Sequence, residues 1–190
     1  MAEPGVERGP ARHRQLDRLA APRGAALSAL PPESRFSFRG GADAAGAAGE
    51  AFGVALPMTP ERASVQEGRA ALWLGPDEWL LLAPASAGAE IAAAIARSLG
   101  ERLHALVDIG HRDAAIGVAG PDAPAVLNSA CPLDLDLSVF PAGRCTRTVF
   151  AKAGMVLWRP EAAAFRLEVA RSFAPYVWRM LEEAGREYRA

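Results

Sequence analysis

Residues 107–173 read VDIGHRDAAIGVAGPDAPAVLNSACPLDLDLSVFPAGRCTRTVFAKAGMVLWRPEAAAFRLEVARSF. The apolar run Ala114–Ala119 predicts a strand. Gly120-Pro121-Asp122 is a turn signal, with Asp122 placed to cap a short helix over Pro124–Ser129. Arg144–Phe150 and Met155–Trp158 predict two strands facing each other across a turn at Lys152–Gly154, and Phe165–Ala170 predicts a third. Ser172 is placed to cap a final helix over Phe173–Tyr188, where Pro175 is tolerated in the first turn. Tyr176, Val177, Met180 and Leu181 fall on one face of that helix.

The preceding stretch has the same order of elements. Arg35–Arg39 alternates polar and aromatic residues, as a half-buried strand does. Ala42–Phe52 is an Ala-rich helix weakened by Gly46 and Gly49. Arg69–Leu74 and Glu78–Ala83 are strands separated by the turn Gly75-Pro76-Asp77. Gly88–Leu99 carries Ile91, Ile95 and Leu99 on one helical stripe, and Leu103–Asp108 is a closing strand. The order is β-α-β-β-α-β, so the chain is expected to be an α+β protein of two ferredoxin-like halves. Met1 to Ala26 is rich in Pro and Gly and has only Leu16 and Leu19 as apolar anchors. A flexible N-terminal arm is expected over 1–26, followed by one α+β domain over 27–190.

Composition narrows the function classes. The chain has 190 residues, 51% of them hydrophobic, and a formal net charge of -1. That is enough for a packed core, with no electrostatic drive toward nucleic acid or an anionic membrane. No apolar run approaches the roughly 20 residues that span a bilayer. No apolar signal core follows the N-terminus, and the two cysteines, Cys131 and Cys145, read as reduced buried thiols. A cytoplasmic protein is expected, with no nucleic-acid or membrane partner.

The residues that could carry chemistry do not form a catalytic set. Asp108 and His111 could orient a general base. No nucleophile can be placed beside them, and they read as a turn aspartate with an exposed histidine. Asp134 and Asp136 alternate with Leu133, Leu135 and Leu137. This is a pattern for paired acids or a hard cation, and equally for a surface segment with its leucines inward. Arg144, Arg147 and Lys152 on one hairpin suit an anionic ligand tail, an acidic partner surface or a solvated strand face. Neither Gly40-Gly41 nor Gly117–Gly120 matches a phosphate-binding loop. Trp73, Trp79, Trp158 and Trp178 sit on apolar faces and read as core, or as interface anchors where exposed. The expectation for this chain is no catalytic, cofactor-binding or metal-binding residue.

Five segments together carry a family resemblance: Ala71–Pro84 (ALWLGPDEWLLLAP), Val107–His111 (VDIGH), Cys131–Leu137 (CPLDLDL), Gly143–Thr148 (GRCTRT) and Arg171–Tyr176 (RSFAPY). They resemble the gamma subunits of heterotetrameric, tetrahydrofolate-dependent sarcosine oxidase, from about Leu27 onward. The same stretch is more distantly similar to the aminomethyltransferase (T-protein) family of glycine cleavage, through Gly120–Ala123 and Pro141–Arg144. That family carries an Asp-Asp pair on its hairpin return strand, next to folate. Here the strand reads Gly154-Met155-Val156-Leu157-Trp158 and holds no carboxylate. The resemblance therefore implies a subunit without activity of its own, in a complex that oxidises sarcosine to glycine and passes the one-carbon unit to tetrahydrofolate. It further implies alpha, beta and delta partners, with FAD, FMN, NAD, tetrahydrofolate and zinc held by those other subunits. The distant similarity implies an alternative, a stand-alone folate-binding protein or one-carbon transferase.

Overall fold

The computed structural model describes residues 25–188. Among the described residues, ten strands form two five-stranded antiparallel sheets. The first sheet contains β2 (Glu33–Gly40), β3 (Ala63–Gln66), β4 (Arg69–Gly75), β5 (Glu78–Pro84) and β6 (His104–Asp108), in the order β3-β4-β5-β2-β6. The second contains β1 (Ala26–Ala29), β7 (Asp113–Ala119), β8 (Cys145–Phe150), β9 (Ala153–Glu161) and β10 (Ala164–Ala170), in the order β1-β7-β10-β9-β8. The α-helices among the described residues are α1 (Ala42–Phe52), α2 (Gly88–Leu99), α3 (Ala123–Asn128) and α4 (Ala174–Ala184).

The two halves match element by element. In each, a first strand leads to a helix, an extra edge strand, a hairpin and a second helix. The ferredoxin-like order is β4-β5-β2-β6 in one sheet and β9-β10-β7-β1 in the other, with β3 and β8 added at the edges. The fourth strand of the second half is therefore supplied by β1, from the start of the chain. Ala26–Ala29 pairs with Ile116–Ala119, and Ala25 and Leu27 are buried against the second-half core. Strand β1 begins at Ala26, the last residue of the expected arm, and the arm up to residue 24 lies outside the described residues. β1 then crosses to the other sheet through only Leu30, Pro31 and Pro32.

The sheets pack face to face, and the helices cover their outer faces. In β5, Trp79, Leu81 and Ala83 face α1 and α2, while Leu80 and Leu82 face the other sheet. A strand apolar on both faces requires cover on both sides. In β10, Phe165, Leu167 and Val169 pack under α3 and α4. Arg166 and Glu168 alternate with them and point the opposite way, toward the first sheet.

Local expectations are adjusted in five places. Asp122 does not cap α3: its backbone is helical and its side chain makes no capping bond. Ser172 does not cap α4 either, since the N-cap is Phe173 and the chain turns there through the bond from Phe173 N to the Ala170 carbonyl, 2.8 Å. The final helix is α-helical only to Ala184, and Gly185–Tyr188 is a 3-10 turn. Its buried side is Ala174, Val177, Trp178 and Leu181, while Tyr176 is exposed. Gly46 and Gly49 differ in kind. A Cβ on Gly46 would meet nothing, whereas one on Gly49 would lie 3.1 Å from Leu56 N and 3.2 Å from the Val54 carbonyl.

Candidate functional site

The seam between the two sheets holds the charged groups that chemistry would need. Arg35 on β2 and Glu168 on β10 meet there, 133 residues apart, with Arg35 Nε donating to Glu168 at 2.6 Å. Arg166 Nε donates to the other carboxylate oxygen at 2.7 Å. Arg166 also pairs with Glu33 on β2, and Arg35 donates to the Glu33 carbonyl at 3.1 Å. The side chains of Arg35 and Glu168 are each 1% exposed. Two guanidiniums and two carboxylates cancel, so the seam buries ions without burying net charge, the condition under which buried ions are tolerated. Burial works against the Arg166 charge, but Glu168 and Glu33 outweigh it and raise its pKa.

Toward the mouth of the seam lies a second set. Arg147 donates to both oxygens of Glu78, at 2.9 and 2.5 Å. That bond holds the Glu78 carboxyl below its usual range and raises the Arg147 pKa. Arg112 grips Asp113 at 3.2 and 3.1 Å. A cleft of about 300 Å³ opens beside Arg112, Arg147 and Glu168, with a void of about 80 Å³ beneath it, lined by Ser37, Leu80 and Val156 among others.

The residues singled out from sequence are scattered. Asp108 accepts from Gly110 N at 2.7 Å, a tight local turn, and makes no bond to the exposed His111. Cys131 and Cys145 are buried free thiols, and burial pushes Cys145 up to about 12. Asp134 and Asp136 each accept a backbone bond two residues on, in an exposed loop. Of their leucines, Leu135 is buried, Leu133 partly so, and Leu137 is exposed, against the expectation that all three point inward. The basic hairpin is divided: Arg144 pairs with Glu61 at the junction of the sheets, Arg147 with Glu78, and Lys152 has no partner among the described residues. Trp79, Trp158 and Trp178 are buried and Trp73 is half-buried.

Sequence reasoning missed Glu33, Arg35, Arg166 and Glu168. In sequence Arg35–Arg39 reads as a half-buried strand, with no second sheet placed over its polar face, and Phe165–Ala170 reads only as a strand. The chemistry of this cluster is restricted. Glu168 and Asp113 are the buried carboxylates among the described residues, and each is held by arginine. Glu168 accepts from Arg35 on one oxygen and from Arg166 on the other, so a ligand amine reaching it would compete with two guanidiniums. Among the described residues no group of three or more His, Cys, Asp or Glu could hold a metal ion, and no helix is long and apolar enough to cross a membrane.

Residues 39–187 match the family described as sarcosine oxidase, gamma subunit. The chain belongs to that family. It is 34% identical over 140 residues to the sarcosine oxidase subunit gamma of Corynebacterium sp. (strain P-1), covering 73% of this chain and 68% of that one. To the Arthrobacter sp. subunit gamma it is 37% identical over 110 residues, 57% of this chain and 53% of that one. Its fold superposes on a chain of the heterotetrameric sarcosine oxidase from Corynebacterium sp. U-96 with a TM-score of 0.85 and 28% identity, covering 97% of both chains. Aminomethyltransferase T of the glycine cleavage system from Bartonella henselae shares the fold alone, at a TM-score of 0.62 and 14% identity over 95% of this chain and 53% of that one.

Proposed function

We propose that this chain is a non-catalytic gamma subunit of a heterotetrameric sarcosine oxidase. Membership of the family and the end-to-end likeness to a chain of such a complex support the assembly. The pairing of Glu168 between Arg35 and Arg166 carries the non-catalytic part of the reading. In this reading no residue of the chain is catalytic, cofactor-binding or metal-binding. Alpha, beta and delta partners hold FAD, FMN, NAD, tetrahydrofolate and zinc, and the complex works in the cytoplasm. It converts sarcosine to glycine and passes the one-carbon unit to tetrahydrofolate. The charged seam fixes one half of the chain against the other, so the subunit presents rigid surfaces to its partners.

Native mass spectrometry of the protein purified from its own cell tests this. The expected result is a complex of four different chains with flavin absorbance. Recovery of the chain alone, under conditions where other complexes survive, would overturn the assignment.

A further inference from the structure

Helix α4 has a buried apolar side and, beginning at its N-cap, a second apolar stripe that the fold covers only in part. Ala174, Val177, Trp178 and Leu181 are buried against the second sheet. The outer stripe carries Phe173, 44% exposed, and Tyr176, 38% exposed, with Met180 partly buried beside them. A helix on the surface of a lone domain should present charged residues there. Phe173 and Tyr176 stack edge to face with ring centroids 6.5 Å apart, so the two aromatics form one fixed platform.

A groove of about 670 Å³ runs along this stripe, lined by Pro175, Tyr176, Arg179, Met180 and Glu183 of the helix and by Ser129 just after α3. These helix residues span nine positions, roughly 12 Å at 1.5 Å rise per residue. That length admits between two and three turns of a second helix. The charges along it are unequal. Glu183 is engaged by Arg186 at 2.8 Å. Arg179, exposed at the middle of the groove, has no ion-pair or hydrogen-bond partner among the described residues. The groove is therefore an apolar trough with one arginine that makes no ion pair.

We infer that this groove receives an amphipathic helix of a partner subunit. Its apolar stripe lies on Tyr176 and Met180, and one carboxylate meets Arg179. Tyr, Met and Arg are enriched in protein interfaces, and Tyr and Arg also at their energetic hot spots. This inference rests on the subunit reading above and names the face through which that subunit docks.

The test is co-expression of the full set of subunits with the chain as wild type, Tyr176→Ser, Arg179→Glu, Arg179→Lys or Val65→Glu. Val65 is exposed on the distant edge strand β3. Complex yield is read by native mass spectrometry, and the melting temperature of each purified chain separates docking from folding. Tyr176→Ser and Arg179→Glu should each weaken assembly by roughly tenfold or more, with melting unchanged. Arg179→Lys and Val65→Glu should assemble as wild type does. If wild type assembles and both disruptive variants do so equally well, the docking face is wrong while the subunit reading stands. If wild type itself travels alone, both fall. If the purified chain forms a dimer that Arg179→Glu abolishes, the occupant is a second copy and the inference is overturned.

Discussion

Replacing Glu168 by Gln removes the one anion that accepts hydrogen bonds from both guanidiniums. Arg35, 1% exposed, and Arg166, 11% exposed, are then left with only Glu33, whose side chain is 20% exposed. Glutamine keeps the shape but offers a single neutral acceptor, so the seam acquires a net positive charge. Removing one partner of a buried ion pair costs about 3–5 kcal/mol. For a chain of this size each kcal/mol lowers the melting temperature by about 2–4 °C, so a fall of roughly 6–20 °C is expected. The double variant Arg35→Leu/Glu168→Leu restores neutrality, leaving Arg166 with Glu33. It should be more stable than additivity of Arg35→Leu and Glu168→Leu allows, by about 1.5 kcal/mol or more. Urea unfolding of wild type, the two single leucine variants and the double variant measures that coupling, and thermal melts of Glu168→Gln measure the loss. A Glu168→Gln protein within about 0.5 kcal/mol of wild type, or strictly additive leucine variants, would refute the argument that the seam is held by mutual neutralisation.

Four further outcomes follow from particular contacts. Leu27→Ala should destabilise by about 2–5 kcal/mol, because Leu27 is buried under the second-half helices, and hydrogen exchange should speed up along β7 as β1 detaches. Gly46→Ala should stabilise α1 by about 0.5–1 kcal/mol, while Gly49→Ala should destabilise, since the backbone at Val54 and Leu56 blocks a methyl group; paired melts of the two variants give opposite signs. The Glu78 carboxyl is held below its ordinary value near 4.5 by Arg147. Its stabilising effect is thus full above that value and is lost as pH falls through the lowered one, and Glu78→Gln should flatten the acid limb of a stability–pH curve. Neither thiol should react with a disulfide reagent at pH 8 until the chain unfolds, because both are buried and Cys145 is pushed up to about 12.

The legible parts of the fold were those with strong local patterns. Trp79-Leu80-Leu81-Leu82 reads as a buried strand between a turn and Pro84, and Ile91, Ile95 and Leu99 read as one side of a helix. β1 was not legible: Ala26-Leu27-Ser28-Ala29 has one large apolar residue and no period, and it is a strand because the open edge of β7 recruits it. β3, Ala63-Ser64-Val65-Gln66, is equally short and stands half in solvent. The charged seam was invisible for another reason. Arg35 and Glu168 are each one alternation step on a strand whose other face is apolar, which looks the same in sequence whether water or a second sheet lies opposite. A clue was present in β5, whose two apolar faces demand that second sheet. The missing carboxylate on Met155–Trp158 was legible, while the occupied one on the neighbouring strand, Glu168, was not. The caps at Asp122 and Ser172 failed because proline-led turns, with Pro124 and Pro175 early in the helices, already start α3 and α4.

The account stands or falls most directly on titration calorimetry of tetrahydrofolate into the purified chain, with peroxide release from added sarcosine followed on the same sample. A seam whose acids are all spoken for should give no binding heat and no peroxide. Saturable uptake of the pterin at micromolar concentration, or turnover without any partner subunit, would contradict it.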